Sequence, residues 1–337
     1  MGPLAEGKTA LDLGQWATPE HVQLSRQWVK ASAIAAASIG GVRRSSSAAL
    51  RTKRLKTSAR PGGTTFLDVG QGDCSLLQMP DGQAVLIDAG VPEMGERVVT
   101  ALHARGVTAL DMVILTHPHA DHAGGLHAVL RTFPVRLVLD AGMSAASQAY
   151  RTVLDDIADL GIALKLGRPG LTKQYGEVGL EVLAPAEPLL KDTRSDINNA
   201  SIVTRWVYGD VALLETGDAE QEAIDRLLKS GADLRAQVLK VPHHGSRYTS
   251  SAKFLAAVHP AVAVISAGLH NDYHHPHRAA LTRLAAAGAK VYVTAQEGTV
   301  TIMSDGHSYE VKTERPFVQP LAGDGAALRR RHHRVRP

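Results

Sequence analysis

The sequence predicts an α/β fold in which β-sheets are sandwiched between helices, and three observations predict it. From Thr64 onward short β-like runs alternate with helical ones, the strand runs are apolar enough to be covered, and helices recur often enough to cover them. The chain has 337 residues, 44% of them hydrophobic and 21% charged, which is enough for a sizeable core.

In chain order, Thr64 to Val69, Cys74 to Met79 and Ala84 to Asp88 read as strands. They are separated by a Gly-Gln-Gly-Asp turn and a Pro-Asp-Gly turn, which suggests an antiparallel start. Strands and helices then alternate: a helix near Gly95 to Arg105, strand Met112 to Leu115, helix Gly124 to Arg131, strand Arg136 to Leu139 and helix Ala145 to Leu160. The second half repeats the rhythm. Strands Ile202 to Tyr208 and Val211 to Glu215 precede a helix over Ala219 to Lys229. Strand Ala236 to Val241, helix Ala252 to Val258, strand Val262 to Ser266, helix Arg278 to Ala287 and strands Lys290 to Val293 and Thr299 to Met303 follow.

The ends differ from the body. Residues 1–63 read as a basic, flexible extension with a linker through Arg43-Arg44-Ser45-Ser46-Ser47 and Pro61-Gly62-Gly63, and residues 313–337 as a basic tail. Between them Pro61 to Glu310 is acidic, with 28 acidic against 20 basic residues. The expected domain therefore spans residues 64–312, and the basic ends are either solubilising tails or electrostatic tethers for DNA. No apolar run approaches the roughly 18 residues of a membrane-spanning helix, so no integral membrane segment is expected. Met1 does not open a standard signal peptide, which makes the cytoplasm the default compartment and export the alternative. The single cysteine, Cys74, excludes a disulfide scaffold and a multi-thiolate zinc site. Oligomeric state is not legible.

Sixteen histidines are unevenly spread, and several sit where a strand has just ended. The apolar run Met112 to Thr116 opens into His117-Pro118-His119-Ala120-Asp121-His122. His117 and His119, two apart in an extended turn, can face one metal, while Asp121 and His122, at the start of a helix, can face a second. Three imidazoles and a carboxylate within six residues are costly to crowd together unless something charged organises them. Three further strand ends carry comparable groups: Glu215-Thr216-Gly217-Asp218, Lys240-Val241-Pro242-His243-His244-Gly245-Ser246, and the stretch after Ser266 that contains Tyr273, His274, His275 and His277. Strand ends on one edge of a sheet converge on a common crevice, and Asp218 is the candidate bridging ligand.

These residues resemble the metallo-β-lactamase fold, and the finer text resembles the soluble C-terminal domain of the ComEC DNA-uptake competence family. The matching stretches are Phe66 to Asp73, Leu86 to Gly90, Asn198 to Val203, Thr216 to Asp218, Lys240 to Ser246 and His275-Pro276. The resemblance implies a four-layer αββα sandwich with two divalent ions, zinc or manganese. Carried over, it places His117 and His119 on one ion, Asp121, His122 and His275 on the other, Asp218 between them, and Asp88 as a buried carboxylate that orients the ligand loop. Where many members of the wider fold have a third histidine for the first ion, this chain has Asn198-Asn199; His243 or His244 fills the vacancy, with His243 preferred. His274 also departs from relatives, which often have glycine there, and reads as an extra ligand, a proton donor or a surface residue.

Hydrolysis by a metal-activated water follows as the expected chemistry, with Asp121 and Asp218 orienting the nucleophile. Asn199, His244, Ser246, Tyr273 and His274 are candidate contacts for substrate or metal. The family resembled implies a phosphodiesterase or nuclease acting on DNA. A small-molecule phosphodiesterase of the phosphocholine-esterase kind, a lactonase, or a non-catalytic metal-binding module are the rival readings.

Overall fold

The computed structural model describes residues 61–318. Of the expected basic extension (1–63) and tail (313–337), residues 1–60 and 319–337 lie outside them, whereas Gly62-Gly63, read as linker, open the first strand and Thr313 closes the last one, so the strands extend slightly beyond the expected limits.

The chain opens with a meander of β1 (Gly62–Phe66), β2 (Ser75–Gln78) and β3 (Ala84–Ile87), antiparallel as the two turn signals suggest. From β3 the path becomes βαβ. Helix α1 (Gly95–Ala104) leads to β4 (Met112–Leu115), helices α2 (Ala120–Ala123) and α3 (Leu126–Thr132) to β5 (Leu137–Asp140), and α4 (Gln148–Asp159) to β6 (Ala163–Leu166), with β3 to β6 all parallel. A second sheet begins with β7 (Thr172–Tyr175) and β8 (Val178–Ala184), passes through α5 (Asp196–Asn199), and continues with β9 (Val203–Tyr208) and β10 (Val211–Glu215). It then repeats the parallel crossover through α6 (Gln221–Lys229), β11 (Val238–Lys240), α7 (Ala252–Val258), β12 (Val262–Ile265), α8 (Arg278–Ala286) and β13 (Lys290–Val293). After α9 (Thr294–Glu297), the chain returns to the first sheet as β14 (Val300–Ser304) and β15 (Tyr309–Thr313). The sheets run β15-β14-β1-β2-β3-β4-β5-β6 and β13-β12-β11-β10-β9-β8-β7.

Side-chain alternation explains why these sheets stack. Ile114, Leu213, Val238 and Val264 join one core with Phe66, Tyr175 and Trp206, drawn from both sheets. Their neighbours Leu214, Leu239 and Ile265 point the other way, into a core with Ile224 of α6, Phe254 of α7 and Leu284 of α8. Strands buried on both faces read as continuous apolar runs, so polar groups are confined to their ends. Strands β6, β7, β8 and β15 are additions to the elements read from the sequence; all four residues of β6 are exposed although three of them, Ala163, Leu164 and Leu166, are apolar.

Crossovers that keep β3, β4, β10, β11 and β12 pointing one way gather their carboxyl ends at one edge. One loop between β1 and β2 also reaches that edge, and Gly72 lets it do so. Gly72 has φ +134°, and a Cβ there would lie 2.3 Å from the carbonyl oxygen of Asp121, while the next residue, Asp73, donates its backbone N–H to that same oxygen at 3.1 Å. Gly72→Ala is therefore expected to cost about 3 kcal/mol, through combined backbone strain and overpacking. Urea unfolding checks this; an unchanged midpoint would contradict the close approach.

Candidate metal centre

Three residues after the end of β3 and β4 set up the first half of the site. Asp88, fully buried with φ 56°, accepts the Thr116 backbone N–H on Oδ1 at 2.8 Å and the Thr116 hydroxyl on Oδ2 at 2.7 Å. Oδ2 also lies 2.7 Å from His122 Nδ1. A hydroxyl has one proton, so Thr116 Oγ1, once it donates to Asp88, can only accept from His117 Nδ1 at 3.1 Å. Both imidazoles thereby keep a proton on Nδ1, which turns each Nε2 inward. His117 Nε2 points at His119 Nδ1, 2.9 Å away, the rings nearly perpendicular at 81°. His119 precedes α2, whose first turn carries Asp121 and His122.

The second sheet supplies the other half. Asp218, after β10, is anchored by its backbone N–H to Ser201 Oγ at 3.1 Å. Its Oδ2 lies 3.4 Å from His122 Nε2, 3.3 Å from His244 Nε2 and 3.8 Å from His243 Nε2. The turn after β11 holds His243 at φ 48° and His244 at φ 52°, a left-handed pair that turns both rings toward Asp218. His244 Nδ1 donates to the Ser266 carbonyl beyond β12 at 2.9 Å, so its Nε2 also faces inward, 3.4 Å from Asp121 Oδ2. His243 Nδ1 lies 3.2 Å from Glu220 Oε1.

Asp121, His122, Asp218 and His244 thus bring one donor atom each within 4.8 Å of one another. His122 Nε2, His244 Nε2 and Asp218 Oδ1 are buried and make no aligned hydrogen bond. Orphaned lone pairs aimed at a common point are the arrangement a divalent cation satisfies, and the imidazole and carboxylate set suits zinc or manganese. His117, His119 and His243 lie alongside, two of them by direct ring contact, and can hold a second ion with Asp218.

Charge and burial pull these groups apart. Burial penalises the Asp218 carboxylate, but His244, His122 and His243 outweigh it and hold its pKa well below the usual range. Burial likewise pulls His122 and His244 down, yet the surrounding carboxylates, Asp218 foremost, raise both well above the ordinary histidine value. His117, with no carboxylate so close, is driven well down by burial and then by His122. Glu215, the last residue of β10, is pushed by burial up to about 8, and Lys240 offsets this only in part.

The other expected site residues fall in several places. His275 is buried beside the turn, its ring centroid 5.3 Å from that of His243 and 6.0 Å from that of His244, with Nδ1 unpartnered. It stands outside the four-residue group, and burial followed by His244 and His243 lowers it to about 3. Tyr273, 64% exposed, stacks on His275. His274 is exposed. Asn199 accepts the Glu220 and Ala223 N–H groups on Oδ1 and donates to Thr193 and Glu222, which fixes the start of α6. Ser246 is buried and its Oγ accepts the Tyr248 N–H within the turn. Sequence reasoning quoted Asp73 and Lys240 within motifs but gave neither a role, and it passed over Thr116, Glu220 and Arg194.

Residues 67–151 match the family described as the metallo-beta-lactamase superfamily. The chain has the metallo-β-lactamase fold. It is 33% identical over 71% of its length to ComE operon protein 3 of Bacillus subtilis (strain 168), of which it covers 32%. It is 34% identical over 70% of its length to competence protein ComA of Neisseria gonorrhoeae, covering 31% of that protein. Recombination protein 2 of Haemophilus influenzae is 28% identical over 75% of the chain, which covers 30% of it. The resemblance to ComEC-type proteins therefore extends over about 70% of this metallo-β-lactamase-fold chain, which spans about a third of the length of these relatives. Among the described residues no helix is long and apolar enough to cross a membrane.

Glu215 gives a test of the charge balance. Its folded-state value exceeds the ordinary 4.5, so between pH 4.5 and about 8 the folded chain keeps a proton that the unfolded chain has released. Its contribution to stability is lost as pH rises through that window. The stability of Glu215→Gln relative to the parent is expected to climb by about 1.4 kcal/mol per pH unit across the window and to level off outside it. Urea unfolding across a pH series reads this directly, and a pH-independent difference would refute it.

Proposed function

We propose that the chain is a dinuclear metal-dependent hydrolase that cleaves phosphodiester bonds, with DNA as its substrate. The observation that carries this reading is the cluster of Asp121, His122, Asp218 and His244, whose donor atoms lie within 4.8 Å of one another and of which His122 Nε2, His244 Nε2 and Asp218 Oδ1 are buried without a hydrogen-bond partner. In this reading Asp121, His122 and His244 would hold one ion and His117, His119 and His243 the other, with Asp218 within reach of both sets and His275 beside them.

When bound, such ions acidify water toward neutral pH and polarise a phosphoryl oxygen. The remaining work falls to side chains. Asp88, Thr116 and the Ser266 carbonyl fix which nitrogen of His122, His117 and His244 faces inward, so the donor set is preorganised. Asp121 and Asp218, held ionised, would accept hydrogen bonds from the attacking water and so direct its lone pair at phosphorus.

The rim favours a phosphodiester backbone. Arg194 stacks its guanidinium over Tyr248, its Cζ 3.6 Å from the ring centroid, and its Nε is 3.9 Å from Glu220, which itself neighbours His243. Arg247 Nη2 lies 2.9 Å from His277 Nε2 on the adjoining side. Tyr248 is 42% exposed and Tyr273 64%, so cations for phosphate and rings for bases stand together at the opening. The names of the relatives, with their reference to competence and recombination, agree with DNA as substrate.

Metal analysis of protein purified without added metal is expected to give about two ions per chain. Turnover of bis-p-nitrophenyl phosphate and of single-stranded DNA is expected to fall more than about a hundredfold in His119→Ala and Asp218→Ala. Turnover of the small diester or of a lactone without DNA cleavage would replace DNA by a small-molecule substrate, and absence of both metal and turnover would overturn the enzyme reading.

A further inference from the structure

Beneath the donor cluster lies an ion pair that none of the roles above requires. Lys240, the last residue of β11, is fully buried, and its Nζ lies 2.6 Å from Asp73 Oδ2 while also donating to the Val241 carbonyl at 3.1 Å. Asp73 is 3% exposed and comes from the other sheet, on the loop between β1 and β2. A lysine ammonium without access to water is expensive to keep, and a buried pair is weak as a source of stability compared with apolar residues of the same volume. Its placement suggests what it does instead.

Asp73 touches both halves of the donor cluster. Its backbone N–H donates to the Asp121 carbonyl at 3.1 Å, and its own carbonyl accepts the Gly90 N–H at 2.9 Å, two residues beyond Asp88. Its Oδ1 lies 3.3 Å from His244 Nδ1, and Oδ2 4.0 Å from His122 Nδ1. Lys240 in turn immediately precedes Val241-Pro242-His243-His244, whose two histidines hold left-handed backbone conformations. The loop is clamped further where Gln71 Oε1 accepts the Gly268 N–H at 3.2 Å, beyond β12. The pair thus spans the two sheets at the point where ligands from each must meet.

We propose that the Lys240–Asp73 pair is a positioning strut: it locks the His243–His244 turn against the Asp121 loop and so sets the metal affinity of the centre. This rests on the metal-centre reading above. Both residues act through His244 and Asp121 and touch neither substrate nor the reacting atoms.

The test separates affinity from stability. Metal-free full-length protein is titrated with Zn²⁺ by calorimetry, and its thermal unfolding is recorded, for the parent, Lys240→Met, Asp73→Asn and the double variant. Each single change leaves a buried polar or charged group without its partner, so both are expected to unfold at lower temperature. Lys240→Met/Asp73→Asn removes both charges and is expected to regain that loss. Its Zn²⁺ affinity is nonetheless expected to stay about 10- to 100-fold weaker than the parent's. A double variant that binds Zn²⁺ as tightly as the parent overturns the strut. If the double variant does not fold, the isosteric Asp73→Asn chain carries the same comparison. A parent chain that takes up no Zn²⁺ overturns the metal-centre reading itself, and the strut with it.

Discussion

Withdrawing Asp73, Asp88, Glu215 and Asp218 from water at one sheet edge, together with Lys240, His117, His122 and His244, is the constraint that the rest of the site answers to. Isolated buried charges are costly by many kcal/mol, and a polar group without a partner costs a few more. The chain meets part of this internally. Thr116 serves Asp88, Lys240 serves Asp73, and Ser201 fixes the backbone of Asp218. Among the buried groups left without a hydrogen bond are the inward nitrogens of His122 and His244 and one oxygen of Asp218. These three come from both sheets and face one another, an arrangement that a cation bound between them would complete.

The two-sheet architecture makes that arrangement affordable. Each sheet contributes a run of parallel strands joined by helices, and each strand interior is apolar on both faces, so the sandwich holds together without help from its polar ends. Because neighbouring parallel strands end at the same edge, Asp88, His117, Asp218, His244 and Ser266 arrive together from five different strands. Neither sheet holds a complete donor set. His117, His119, Asp121 and His122 follow the first sheet, and Asp218, His243 and His244 follow the second, so the centre reports on the registration of one sheet against the other.

The sequence made the fold legible because its elements obey local rules. Strands Met112 to Leu115, Val211 to Glu215 and Lys290 to Val293 and the helix Ala252 to Val258 lie where the pattern puts them. Two of the missed strands, β6 and β7, are largely exposed and defined by pairing with a neighbour, whereas β8, Val178–Ala184, carries an alternating apolar pattern that was readable and was passed over. The His117 to His122 motif was legible for the opposite reason, since a dense polar run directly after an apolar strand has few structural uses. That His243 and His244 both turn toward Asp218 was not legible, because it depends on two successive left-handed residues that no spacing rule announces. Lys240 and Asp73 were hidden by resemblance to ordinary features: a lysine closing a strand looks like the start of solvent, and an aspartate after Gly-Gln-Gly looks like a turn.

Backbone conformation carries the last part of the case. Among the described residues seven non-glycine residues have positive φ, and four of them, Asp88, His243, His244 and His274, belong to the expected site. A left-handed residue other than glycine costs on the order of 1 kcal/mol, and such positions persist only where surrounding bonds over-determine them. At Asp88 those bonds are the two from Thr116, and at His244 the one to the Ser266 carbonyl. Relaxing either residue to an ordinary strand conformation would swing its side chain away from the inward cluster while leaving both apolar cores intact. Strain at these positions therefore does nothing for the sandwich. It holds imidazoles and carboxylates in a geometry that folding alone does not need, and which only a group bound between them would use.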